Sequence, residues 1–454
     1  MRKGLVLTIC ISLSWTLSAP GAVWYVDKNN QGGKAGVSWG TAFNTIQEAV
    51  EAASNTGGGD VWVRAAIYDE ERGPDPDGAL IMKENVHLYG GFAGHEGNRN
   101  QRDWKSNETR IDGSRARAGA AAYHVVIGCS NSTLDGFIVT GGAAYGDPAY
   151  NDPPVNTPER CGGGMYNSGS SPSVSNCTFA NNTAYKAGAG IYNCNGACPN
   201  IRNCVFEDNL GDEHGGGIGN RASSPIITAC MLLDNYAYSG GAGVHNDAGA
   251  SPQIVNCIFA RNSGYGGGSG ILNESDSNPL VVNCVFAGNS STNWGGAIAN
   301  VDSSPTVINC ILWGNAPDEI QSSDGNPVVT YSDVEGGCSG DGNINEDPQF
   351  LPGGFSLSPG SPCVDAGTAD EAPPNDIRGV ARPQGNGWDM GAYEYVDPDT
   401  EPPMPLSIWI LPIILLSLAA AALPRGEQKP EIALEPDKPT GIAPPDLSET
   451  NSNK

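Results

Sequence analysis

GGGMYN at Gly162–Asn167 is followed by VSNCTFANN at Val174–Asn182, and this pair of phrases is repeated five more times. The later copies read GAGIYN and IRNCVFEDN, GGGIGN and ITACMLLDN, GAGVHN and IVNCIFARN, GSGILN and VVNCVFAGN, then GGAIAN and VINCILWGN, ending at Asn315. A period of 26 or 27 residues in a Gly-rich, polar stretch marks a repeat architecture. Cysteines recur at Cys177, Cys204, Cys230, Cys257, Cys284 and Cys310, and an asparagine stands five positions after each. A second asparagine lies eleven residues beyond that one, as at Asn193 and Asn220. The variation in period therefore falls between the second asparagine and the next cysteine, so one corner has constant length and one loop is free.

Parity assigns the strands. Each cysteine and the Phe or Leu two residues later share a strand face, because side chains alternate. The β-branched residue three before the cysteine is odd-spaced from both, so a bend must separate them. The residue before the cysteine, Asn in five copies and Ala229 in the third, is the natural corner, since Asn tolerates left-handed backbone. With Met165, Ile191 and their equivalents pointing inward, each copy predicts three short strands and three corners. The expected fold is all-β: a right-handed parallel β-helix whose coils stack at about 4.8 Å.

Outward from the repeats, residues 1–22 carry Arg2, Lys3 and an apolar run, the pattern of a secretory signal peptide. Residues 23–160 read as a cap and irregular first coils. Within them Phe43, Ile46, Val50 and Ala53 predict a capping helix over Thr41–Ser54, and LDGFIVTGG at Leu134–Gly142 is a degenerate coil. Residues 161–316 are the six regular coils, and 317–396 an aperiodic end segment. An acidic, Pro-rich linker, 397–405, leads to Leu406–Leu423, an uncharged stretch that predicts a single transmembrane helix. Arg425 and Lys429 beyond it place the tail 424–454 in the cytoplasm and the β-helix outside, extracellular or periplasmic. The tail composition is that of a disordered segment.

The alternation of GG[AGS]I with FxxN resembles the repeat of polymorphic outer-membrane proteins, which are surface-exposed β-helices. WYVD, GVSWGTAFNTIQEAV, VHLYGGFAG and the ending SPCVDAG, RP and DMGAYEY resemble bacterial secreted right-handed β-helix proteins with interchangeable anchors. The resemblance implies fold and surface placement and is silent on activity.

The chain holds 24 basic and 50 acidic residues, a formal charge of −26, which excludes nucleic acid as a partner of the ectodomain. Thirteen cysteines in an exported chain raise disulfides. The six ladder cysteines read as small buried apolar residues, while Cys194–Cys198, Cys338–Cys363 and Cys129–Cys161 are the pairs that sequence position suggests. The cysteine spacing and the absence of a His cluster give no metal centre. Calcium is the one cofactor left open. The run Asp341–Asp347 begins like a calcium loop, lacks its later ligands, and reads as a structural turn.

Two functional readings stand. Tyr185, Tyr238 and Tyr265, three residues after the FxxN asparagine, and Trp294, five after, lie in the constant-length corner and should line one edge. Aromatics spaced along a rod suit stacking on sugar rings, so the first reading is an adhesion or glycan-binding scaffold. The second is a polysaccharide lyase or glycoside hydrolase, with Lys186, Asp212, Glu213 and His214 as candidate catalytic residues. Glu207, Asp208 and Asp234 lie in the same coils and would complete a cation-and-base cluster, or else a solvated charged turn.

Overall fold

In a computed structural model of the chain, residues 22–72, 77–146 and 158–397 are described. The signal-peptide, membrane-helix and tail assignments lie outside these residues. Among the described residues no helix is long and apolar enough to cross a membrane.

The chain winds as a parallel β-helix with four sheets, not three. In the first regular coil the strands are Met165–Ser168, Ser173–Ser175, Thr178–Ala180 and Thr183–Ala184. They belong to sheets of nine, eleven, ten and six strands. Every regular coil pairs in parallel with the next at one register, as in Phe179↔Phe206 and Asn193↔Asn220. The fourth strand escapes sequence reading because it is two residues long and its second residue is always small, as at Ala184, Gly211 and Ala237.

Each coil turns at left-handed residues. Asn176, Asn203, Ala229, Asn256, Asn283 and Asn309, before the ladder cysteines, all have φ between 50° and 54°. The bend that parity required is thus present in all six copies. A second corner falls one residue before the FxxN asparagine, at Asn181, Asp208, Asp234, Arg261, Gly288 and Gly314. A third falls on the first glycine of the Gly-rich phrase. There Gly241 has φ 65°, and a Cβ would lie 2.8 Å from the Val244 carbonyl oxygen. Alanine at a left-handed corner costs about 1–2 kcal/mol, so Ala229→Asn is expected to stabilise the chain by roughly 0.5–1 kcal/mol, read as a rise in denaturation midpoint.

Ladders fill the interior. Phe179 stacks on Phe206 at 5.1 Å between ring centroids, and Phe259 on Phe286 at 4.6 Å. The FxxN asparagines are buried and bonded in series: Asn209 Nδ2 donates to Asn235 Oδ1 (3.0 Å) and to the Phe179 carbonyl (2.8 Å). The second asparagine set forms its own chain of amide bonds from Asn167 to Asn300. The cysteines are buried as expected, and they also bond. The amides of Cys230, Cys257 and Cys284 each donate to the Sγ of the next rung at 3.4 Å. All twelve described cysteines are free, so none of the three suggested disulfides forms. Cys194 and Cys363 instead donate toward Tyr166 Oη (3.5 Å) and Asp333 Oδ2 (3.3 Å).

The FxxN ladder ends on Glu319, whose carboxylate accepts from Asn315 N (2.9 Å) and Nδ2 (2.6 Å). Burial pushes this carboxyl up to about 7, with neighbouring Glu335 adding to the rise. The folded state then holds a proton that the unfolded chain releases above its ordinary value of 4.5. Stability from this site is full below that value and is lost as pH rises through about 7. Glu319→Gln is expected to flatten that fall, as measured by urea midpoints on either side of the window.

The N-terminal helix is Ile46–Asn55, later than predicted, because Thr45 and Glu48 form a capping box that fixes its start. Ile46, Ala49, Val50 and Ala53 join the main core and close its end, while Phe43 lies before the helix in a bridge with Val26. The aperiodic end segment does not extend the solenoid. It packs against the outward side of the ten-stranded sheet, where Ile258, Val285 and Ile311 meet Leu357, Met390 and Tyr393. Asn283 Nδ2 fastens it by donating to the carbonyls of Asp389 (3.0 Å) and Gly391 (3.1 Å).

Candidate functional site

The constant-length corner and the nine-stranded sheet that follows it build one flank of the solenoid. Successive rungs set Lys186 beside Glu213, because His214 N donates to the Lys186 carbonyl at 2.9 Å. Lys186 Nζ reaches both Glu213 oxygens at 2.6 and 2.7 Å. The next position along the corner forms a bridge ladder of Cys161, Ala187, His214, Gly240, Gly267 and Trp294. The chain then turns at glycine and enters the sheet, whose first outward positions pair Tyr166 with Tyr192, Tyr192 with Gly219 and Gly219 with His245.

Gly219 shapes the place. A Cβ there would lie 2.9 Å from both the Gly188 amide nitrogen and Tyr192 Cδ2, so no side chain fits between Tyr192 and His245. A groove of about 250 Å³ results. Lys186, Glu213, His214, Arg221, His245 and Glu274 all line it.

Within the groove the His214 and His245 rings stack at 4.4 Å, 14° from parallel. His245 Nε2 lies 2.8 Å from Glu274 Oε2, so a carboxylate orients this imidazole. The hydrogen bond to His245 holds the Glu274 carboxyl below its usual range. Burial first, and then His245, pushes His214 down to about 4, so its ring is neutral at physiological pH. Among the described residues no group hydrogen-bonds His214 Nδ1. Burial raises Cys161 to about 12 and carries Tyr192 upward too, which removes both as bases near neutrality. The proton-handling groups are then the Lys186–Glu213 pair, the neutral His214, and His245 oriented by Glu274. Arg221 pairs with Asp247 at the rim.

Three of the four predicted catalytic residues therefore meet. Asp212 does not: it follows Gly211 in the six-stranded sheet and faces the tyrosine row, 3.4 Å from Tyr145 Oη. The wider charged cluster also divides, since Asp234 is held by Arg261 at 2.7 and 2.9 Å at the FxxN corner. Sequence reasoning missed His245, Glu274 and Arg221. His245 and Glu274 sit after the glycine corner, at other registers than His214, and no periodic spacing links them to it.

The tyrosines do form an edge. Tyr185, Tyr238 and Tyr265 are exposed and follow Ala184, Ala237 and Gly264 in one ladder, with Asp212 taking the intervening rung. Tyr238 and Tyr265 stack at 5.2 Å. Tyr145 extends the row by one coil on the N-terminal side. Trp294 is not part of it: it holds the register of His214 and lies over Gly267. Two extra residues between asparagine and aromatic move it two positions further along the corner, next to the glycine turn.

No family model matches the chain. It is 36% identical over 102 residues to each of two mannuronan C5-epimerases of Azotobacter vinelandii. That stretch is 22% of this chain, and it spans only 7% and 10% of those relatives. Among solved structures, a pectate lyase aligns with 82% of this chain and 96% of its own at 14% identity and a TM-score of 0.44. A pectin methylesterase from Aspergillus niger aligns with 72% and 86% at 14% identity and a TM-score of 0.31. Nothing about the chemistry of this chain follows from structural likenesses at that level.

Proposed function

We propose that this chain cleaves an extended extracellular polysaccharide, as a lyase or a glycoside hydrolase, in the groove between Lys186 and Glu274. The observation that carries the reading is the convergence of a Lys–Glu pair and a carboxylate-oriented histidine in one groove, beside a row of exposed tyrosines. A cleaving site needs an acid and a base on either side of a bond. A polymer substrate also needs a platform that holds the neighbouring sugars, which Tyr238 and Tyr265 supply. The partial likeness to mannuronan epimerases supports a uronate polymer as the substrate class. In this reading residues 1–22 export the chain and Leu406–Leu423 anchors it, with the solenoid outside the cell or in the periplasm.

The test is incubation of the purified full chain with polymannuronate and polygalacturonate, with and without calcium. New unsaturated ends, read by ultraviolet absorbance, identify a lyase; new saturated reducing ends identify a hydrolase. The appearance of neither refutes the proposal. The tyrosine row favours one further reading, a glycan-binding scaffold, which predicts retention on a glycan column without turnover. On either reading Tyr238→Ala is expected to weaken retention by about threefold to tenfold, the worth of one aromatic stacking contact.

A further inference from the structure

We propose that His214, His245 and Glu274 form a binding site for a divalent transition-metal ion, of which zinc is the best fit. This does not rest on the polysaccharide reading and would stand if no polymer were cleaved. One donor atom from each of the three residues lies within 4.8 Å of the others, and turning the two stacked imidazoles about their side-chain bonds brings their in-plane nitrogens to a common centre. Two imidazole nitrogens and one carboxylate oxygen are a donor set for zinc and its neighbours in the first transition row. Calcium, the cofactor left open from the sequence, takes six to eight oxygen ligands, and this set of three residues offers it only one carboxylate.

Three features prepare the site. The ligands come from three consecutive coils: beside His245 and Glu274 stand the buried Asn246 and Asn273 of one amide ladder, joined at 2.8 Å, and the His214 amide donates to the Lys186 carbonyl of the preceding coil. The backbone positions are thereby fixed before any ion arrives. His214 Nδ1 has no hydrogen-bond partner among the described residues, so a lone pair or a proton on it is uncompensated, and an ion would supply what is missing. Charge also favours a cation. Lys186 is paired with Glu213 and Arg221 with Asp247, which leaves Glu274 as the carboxylate lining the groove whose partner is an imidazole and not a lysine or arginine. Three protein ligands leave a fourth position on the groove side, the arrangement of catalytic sites as opposed to closed structural ones.

The experiment uses the full chain, stripped with chelator and titrated with Zn²⁺ alone by calorimetry, with Co²⁺ substitution read by visible absorption. One equivalent of Zn²⁺ is expected, and Co²⁺ should give ligand-field bands. Glu274→Gln, which keeps shape and removes charge, is expected to weaken Zn²⁺ by at least the roughly 10-fold to 100-fold that follows loss of an outer partner of a metal ligand. His245→Ala should abolish the Co²⁺ bands, and if that variant does not fold, Glu274→Gln decides alone. His87→Ala, in the N-terminal coils, should bind as the parent does. Less than one equivalent in the parent, or undiminished binding in Glu274→Gln, overturns the proposal. Because no polymer is present, the outcome is independent of whether the chain cleaves one.

Discussion

Asn262→Ala is expected to destabilise the solenoid by about 3–5 kcal/mol, near the upper end for a single substitution. Its side chain makes four hydrogen bonds inside the core. Asn262 Oδ1 accepts from Asn235 N (3.1 Å) and Asn235 Nδ2 (2.9 Å). Asn262 Nδ2 donates to the Leu232 carbonyl (2.8 Å) and to Asn289 Oδ1 (2.9 Å). Alanine removes all four and leaves buried donors and an acceptor that water does not reach, each worth about 1–3 kcal/mol. Its neighbour Arg261 offers the contrast. Arg261 makes a two-pronged ion pair with Asp234, but both side chains are exposed, so Arg261→Ala should cost no more than about 1 kcal/mol. A stacked array need not unfold in one step, so amide exchange in the flanking coils is a better measure than one melting temperature. If the two substitutions cost the same, the ladder is not what holds the coils in register.

Glu213→Gln is expected to lower polymer cleavage by about 10²–10⁴-fold, the range for loss of a positioned acid or base. The amide keeps the shape and a hydrogen bond toward Lys186 but carries no titratable proton. Retention on a polymer column should change far less, because the tyrosine platform is separate. Asp212→Asn is the control. The adjacent Asp212 and Glu213 are equivalent in sequence, yet they lie in the bend between the strand Leu210–Gly211 and the His214 bridge, and their side chains leave it in different directions. Asp212 faces Tyr145, while Glu213 faces Lys186 in the groove. Equal losses for the two variants would remove Glu213 from the chemistry.

The regular coils were legible because a solenoid converts sequence period directly into contact. Position n touches its equivalent one coil on, so Phe206, Asn209 and Cys204 each declare their neighbours by register. Even the corner before each cysteine follows from parity alone. The fourth sheet was not legible, since two-residue strands such as Thr183–Ala184 and Leu210–Gly211 leave no alternation to count. The cysteines were read as apolar filler; their sulfur also accepts an inward-turned amide, which composition does not reveal.

The candidate site was half legible. Lys186, Glu213 and His214 could be grouped because they occupy adjacent rungs of a corner with constant length. His245 and Glu274, 29 residues apart, are joined across rungs at unlike registers, and Gly219 matters only because it is empty.

Sequence by itself therefore determined the coil: its period, its inward face, its corners and the row of tyrosines. Each of these is a nearest-neighbour property that recurs with the repeat. Tertiary structure alone decided where unlike registers meet around a glycine corner, as in the His214–His245 stack. It also decided that the end segment folds back onto Ile258, Val285 and Ile311. The reason is the same in both cases. These contacts join residues that share no period, so their distance is set by the path of the backbone through the turns and not by any count along the chain.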